Sequence, residues 1–128
     1  VKVLVCGSRG WKDPLPINAM LAGFDVLAEG GGDRVTVIHG GARGADTLAK
    51  SLAVQWGLDV IDEPADWDTY GRAAGPIRNQ KMLDKYQPDV VLAFRTYGKS
   101  TGTDDMVARA RKAGIPTFVI TGGTHPTT

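Results

Sequence analysis

The sequence has one cysteine, two histidines, no long apolar run and almost no net charge over its 128 residues. Each shortage excludes something. A lone Cys6 cannot form an internal disulfide, and its place inside a β-branched run suits a small buried hydrophobe in a reducing cytosol. His39 and His125 share no ligand spacing with Cys6, so no metal constellation is visible. No apolar stretch approaches the ~20 residues that span a bilayer, and the chain opens on a strand without a basic-then-apolar leader, so the expectation is a cytoplasmic protein with no membrane partner. Basic and acidic residues number 15 and 14, without a basic run, which disfavours extended nucleic-acid binding.

What the sequence does have is glycine, 17 residues gathered at turns. Its length suits one domain, taken as 1–120, with a polar tail over 121–128. Apolar, β-rich runs at 1–6, 34–39, 58–61, 89–94 and 116–120 alternate with helical spacing at 17–27, 45–56, 77–85 and 104–112. This rhythm predicts an α/β, three-layer Rossmann-like fold, with a mainly parallel sheet of about five strands flanked by helices. Ligands in such folds bind beyond the carboxyl ends of the strands, near the point where strand order reverses. Glu29-Gly30-Gly31-Gly32-Asp33 is expected to stop the first helix and form a surface hairpin. Residues 62–76, with Pro64, Gly71, Gly75 and Pro76, read as one long loop, whose Trp67 and Tyr70 stack on a base, lid the pocket or plug the sheet edge.

Three strand-to-helix junctions carry candidate chemistry. His39-Gly40-Gly41-Ala42-Arg43-Gly44-Ala45-Asp46 follows the second strand, and its glycines let backbone amides approach an anion at a helix N-terminus. Arg43 adds a charged fork, and Asp46 either caps the helix or takes a ribose hydroxyl. His39 is an acid/base group or, the reading preferred here, satisfies a backbone group. Gly7-Ser8-Arg9-Gly10, after the first strand, is a second anion-type turn, with Trp11 assigned to the core. Thr101-Gly102-Thr103-Asp104-Asp105 opens the last helix, where capping accounts for both aspartates. Gly98-Lys99-Ser100 fails as a Walker A loop, because Ala93 stands at the earlier glycine. Arg78 and Asn79 fall in the first turn of the helix at 77–85, and a cation placed there against the macrodipole makes sense if an anion sits beside it.

Taken in order, Gly7-Ser8-Arg9 with Trp11, the segment His39 to Asp46, Gly75 to Met82 and Ser100 to Met106 resemble the SLOG superfamily, most closely its YspA/YpsA-related branch of bacteria and phages. The resemblance spans residues 1 to about 120 and implies a Rossmann-like fold that binds nucleotides or their derivatives. The superfamily also includes the lonely-guy phosphoribohydrolases and the DprA/Smf DNA-uptake proteins. Arg78 with Met82 matches the element preceding the phosphoribohydrolase motif, and Gly102-Thr103 matches the Gly-Thr of its Gly-Gly-x-Gly-Thr-x-x-Glu. Lys99-Ser100 replaces the paired glycines, and Met106 stands at the glutamate, where it cannot do acid/base chemistry.

The main expectation is therefore sensing or carrying of a nucleotide-derived small molecule. The expected ligand-binding residues are Gly7, Ser8, Arg9, His39, Gly40, Gly41, Arg43, Gly44, Asp46, Arg78, Asn79, Thr101, Gly102 and Thr103. The alternative is hydrolysis of the N-glycosidic bond of a nucleoside 5′-monophosphate, with Arg78 holding phosphate and Asp104, Asp105 or Asp46 replacing the missing carboxylate. A second alternative is a DprA-like DNA-associated accessory. The resemblance also implies a homodimer or higher homo-oligomer. No cofactor is expected beyond magnesium accompanying a nucleotide.

Overall fold

In the computed structural model the described residues are 1–31, 34–42 and 44–122. Strands β1 (Lys2–Gly7), β2 (Thr36–His39), β3 (Asp59–Asp62), β4 (Val90–Thr96) and β5 (Thr117–Gly122) form one sheet in the order β3-β2-β1-β4-β5. All neighbours run parallel. The central strand reads as an unbroken apolar run because both its faces are covered: Val3, Leu4 and Val5 are fully buried. Side chains alternate between two cores. Val3, Val5, Val37, Leu92 and Phe94 pack under α1 (Pro14–Gly31) and α2 (Ala45–Gln55). Leu4, Cys6, Ile38, Val91 and Ala93 pack under α4 (Ala74–Tyr86) and α5 (Thr101–Lys112). The protein is thus a three-layer α/β Rossmann-like domain.

Small residues set how closely α2 lies on the sheet. Ala45, Ala49 and Ala53, at i, i+4 spacing, are fully buried on its inner face. Trp11 joins the same core, 5.6 Å from the Phe94 ring, as its sequence reading expected.

Several element boundaries differ from expectation, and α5 starts three residues early, at Thr101. The first helix runs on through Glu29, Gly30 and Gly31 instead of stopping there, since glycine inside a helix costs only about 1 kcal/mol; Gly32 and Asp33 lie outside the described residues. The segment 62–76 is largely helical: Asp66 caps the short α3 (Trp67–Tyr70) by accepting from the Thr69 N–H at 3.1 Å, and a 3-10 turn over Gly71–Ala73 leads into α4. Helix α4 therefore begins at Ala74, and Pro76 fits in its first turn, where a missing N–H leaves no bond unmade. Arg78 consequently sits past the first turn, so the macrodipole argument for an anion there does not hold. Strand β5 also includes Thr121 and Gly122, assigned from sequence to the tail, because they pair in register with Arg95 and Thr96. The rest of the tail, with His125, lies outside the described residues.

From β1 the chain adds β2 and β3 on one side, then returns to add β4 and β5 on the other. Strand order therefore reverses between the carboxyl ends of β1 and β4. Loops leaving these two strands must part in opposite directions, and a crevice opens between them.

Candidate functional site

Hydroxyls join the two sides of this crevice. Ser8, just beyond β1, donates its N–H to the Phe94 carbonyl at 2.9 Å, and its Oγ accepts from the Thr96 N–H at 3.0 Å. The same Oγ lies 2.8 Å from Ser100 Oγ, which donates to Thr103 Oγ1 at 3.0 Å. All three hydroxyl residues are buried. With its side chain engaged in this chain, Ser100 makes no cap bond to α5. The amides of the first turn at Thr101, Gly102 and Thr103 therefore have no side-chain cap, and the positive end of the macrodipole lies behind them.

Helix α4 forms the opposite wall. Arg78 Nη1 donates to the Gly40 carbonyl at 2.6 Å and Nε to Asn79 Oδ1 at 3.0 Å, which fixes the guanidinium plane. Asn79 Nδ2 donates to the Gly102 carbonyl at 3.2 Å and to Asp105 Oδ2 at 2.9 Å, so α4 and α5 are tied at the cavity edge. Arg109 completes the pairing of Asp105 at 2.8 Å.

Between these walls lies a cavity of about 450 Å³. Of the residues expected to bind ligand or act in catalysis, it brings together Gly7, Ser8, Arg9, Asp46, Arg78, Asn79, Thr101, Gly102, Thr103 and Asp105. Sequence reasoning missed Arg72, Lys99 and Ser100, which also line it. Arg72 sits in a segment read as loop, and Lys99 was weighed only as part of a failed Walker motif and as a replacement for a motif glycine. Among the described residues Arg9, Arg72 and Lys99 make no hydrogen bond or ion pair. Three uncommitted cations around one helix N-terminus make the cavity attractive to an anion. No group of three His, Cys, Asp or Glu side chains able to hold a metal occurs among the described residues.

The glycine turn after β2 does something else. Gly40 N–H donates to Asp46 Oδ2 at 2.9 Å, and Gly41 N–H to His39 Nδ1 at 3.0 Å, so two of its amides are satisfied internally. His39 accepts there through an unprotonated Nδ1, and burial, the largest influence, lowers its pKa; it is a neutral ring that shapes the turn, and it does not line the cavity. Gly44 has φ +82°, and a Cβ there would overlap the Ser8 and Arg9 carbonyls. A Cβ on Gly7 would likewise run into the Phe94 carbonyl and Ala45. These two glycines let α2 press against the β1 loop, and Gly44 is absent from the lining of the cavity above. Gly40 and Gly41 line a smaller adjoining hollow of about 310 Å³, shared with Arg9 and Arg78. Arg43 lies outside the described residues.

Asp46 borders the main cavity at 3% exposure. Its Oδ1 has no hydrogen-bond partner of good geometry among the described residues. Burial pushes its pKa up to about 6, against the opposing pull of the Gly40 N–H and Arg78. Cys6, at the cavity floor, is pushed far up by burial and then by Asp46, so it stays a thiol. Asp104, by contrast, does not line the cavity. It faces Arg95 in a two-pronged pair at 2.8 and 3.0 Å, which holds its carboxyl below the usual range. Met106, at the motif's glutamate position, is fully buried in the core under α5.

Comparison with known proteins adds the ancestry. The chain is 43% identical over 130 residues to the Gene 61 protein of Mycobacterium phage D29, covering 98% of each. Its fold resembles that of DNA processing protein A (DprA) from Streptococcus pneumoniae, with a TM-score of 0.73 at 20% identity. That match covers 98% of this chain and 52% of DprA, so the chain spans about half the length of that protein. A profile of the YspA, cpYpsA-related SLOG family matches residues 1–70, which hold the β1 and β2 junctions. On the strength of that match and the phage relative, the chain belongs to the YspA, cpYpsA-related SLOG family.

Proposed function

We propose that the domain senses or carries a nucleotide or nucleotide-derived anion, held in the crevice between β1 and β4. One observation carries this reading: the open N-terminus of α5 shares a 450 Å³ cavity with Arg9, Arg72 and Lys99, cations without partners among the described residues. A phosphate there would accept from the Thr101, Gly102 and Thr103 amides. Any magnesium would arrive on the nucleotide's own phosphates. The family's Rossmann-like fold supports the same class of ligand.

The test is a thermal-shift screen against nucleotides, cyclic nucleotides, NAD and ADP-ribose, with chromatography of every hit. A ligand at a hundredfold excess over its dissociation constant should stabilise the fold by about 2.7 kcal/mol. Recovery of the ligand intact supports the reading, and no shift with any of them overturns it.

The hydrolytic alternative has one observation in its favour, the buried Asp46 carboxyl at the cavity wall with its raised pKa. Asp105 lines the cavity but is held by Asn79 and Arg109. Released base in the chromatography, lost in Asp46→Asn, would establish this reading. Self-association belongs to the same proposal: Leu15 and Val26 on α1 and Val54 on α2 are roughly two-thirds exposed. Sedimentation of the purified chain decides it, and a monomer at all concentrations would remove it.

A further inference from the structure

The cavity and its neighbouring hollow differ in chemistry, and the difference assigns an orientation to a ligand. Arg72, Lys99 and the N-terminus of α5 border only the 450 Å³ cavity. The 310 Å³ hollow is bordered separately by Gly40, Gly41, Pro64 and Ala65, none of them charged. Both share Arg9, Ala42, Trp67 and Arg78. The larger cavity adds two cations, Arg72 and Lys99, and the first turn of α5 to the shared arginines, so it is the better seat for a phosphate, and the hollow adds only small uncharged residues beside Trp67.

Trp67 stands apart from the other tryptophans. Trp11 donates its indole N–H to the Asp13 carbonyl at 2.6 Å, and Trp56 donates to Asn18 Oδ1 at 2.8 Å. Trp67 Nε1 has no partner among the described residues, and its ring is 50% exposed. The ring lies against the start of α4, where a Cβ on Gly75 would come within 3.5 Å of its Cη2. Across the same hollow Arg78 is pinned by the Gly40 carbonyl and Asn79, so its planar guanidinium is already oriented. An indole and a fixed guanidinium bordering one hollow are the elements that stack on a heterocycle.

We propose that Trp67, with Arg78, forms a base subsite in the smaller hollow, so that the ligand's planar heterocycle stacks there while its phosphate lies at α5. This rests on the nucleotide reading and adds its direction. Phosphate-only and base-bearing compounds should therefore use the protein differently.

The experiment is calorimetric titration of the full chain and its Trp67→Ala and Trp67→Phe variants with ribose 5-phosphate and the four ribonucleoside 5′-monophosphates. Expected is at least one nucleotide binding about tenfold tighter than ribose 5-phosphate. Trp67→Ala should erase that advantage and leave ribose 5-phosphate unchanged, and Trp67→Phe should keep most of it. The half-exposed ring carries little of the core, so circular dichroism should show both variants folded. If Trp67→Ala keeps the nucleotide advantage, or no nucleotide outbinds ribose 5-phosphate, the base subsite is overturned while the anion cavity stands. If neither class of compound binds the wild-type chain, the nucleotide reading itself fails.

Discussion

Two strand-to-helix junctions in this domain carry glycine and hydroxyl or amide donors, and they have opposite fates. At α2 the junction is closed: Gly40 and Gly41 donate to Asp46 and His39, and Gly44 lies against the Ser8 and Arg9 carbonyls. At α5 it is open. Ser100 is drawn away by Ser8 and Thr103, no side chain caps the helix, and a Cβ on Gly102 would meet nothing within 4 Å. The richer glycine motif serves packing, and the poorer one faces the cavity. A glycine turn before a helix identifies a place where backbone comes close to something; whether that is a ligand or another loop depends on contacts from distant parts of the chain.

The largest effect should come from closing what is already tight. Gly44→Ala must put a Cβ into two backbone carbonyls at a positive φ, and we expect a loss of about 2–4 kcal/mol in chemical denaturation. Gly102→Ala, inside the first turn of α5 and in open space, should be neutral or stabilise by up to about 1 kcal/mol. Equal stabilities in the two variants would abolish the distinction between a closed and an open junction.

Asp46 tests the closed junction by pH. Its folded pKa is raised from 3.8 to about 6, so between these values the native state holds more protons than the unfolded chain. Stability from this group is therefore fullest below about pH 4 and falls as pH rises through about 6. The full shift corresponds to about 3 kcal/mol, an upper bound. Asp46→Asn keeps an acceptor for the Gly40 N–H and cannot ionise, so its melting temperature relative to wild type should rise from pH 4 to pH 7. A pH-independent difference would mean that Asp46 ionises without penalty.

Much of the fold was legible because it follows from local chemistry. Five apolar runs, each ending at a glycine or polar turn, specify a parallel sheet, and Val3 to Val5 could hardly be anything but a central strand. The boundaries that moved did so where a residue type tolerates more than its average preference suggests, as with Pro76 in the first turn of α4 and Gly30 within α1. In the candidate site, Ser8, Arg9, Arg78, Asn79 and Thr101 to Thr103 were readable from motif order, and they do meet. Arg72 and Lys99 were not, because nothing local marks an unpaired cation; only the folded chain shows which ones lack a carboxylate. The same limit hid the role of Asp46, which accepts from the Gly40 N–H six positions earlier.

At the open junction the expected effects are on binding. Arg72→Gln and Lys99→Gln should each weaken ribose 5-phosphate binding by roughly three- to tenfold and flatten its salt dependence, with melting temperature unchanged, since neither side chain has a partner to lose. Arg78→Ala should do both kinds of damage. It removes a cavity cation and also the bond to the Gly40 carbonyl, so stability should fall by about 1–2 kcal/mol along with affinity. Binding lost with stability intact would show that the Gly40 contact contributes nothing.

The smallest effect separates the two adjacent aspartates of α5. Asp104 is half-exposed and paired with Arg95 outside the cavity, so Asp104→Asn should cost at most about 1 kcal/mol and leave ligand binding and any turnover untouched. Asp105 lines the cavity and orders Asn79, which in turn bonds the Gly102 carbonyl at the mouth of α5. Asp105→Asn keeps one oxygen for the Asn79 and Arg109 donors, which both bond Oδ2, but loses the charge that pairs Arg109, so it should loosen the α4–α5 contact and change affinity. Should Asp104→Asn impair binding as much as Asp105→Asn, the functional surface would extend past the cavity edge to Arg95, and the first turn of α5 would have a ligand on both its faces.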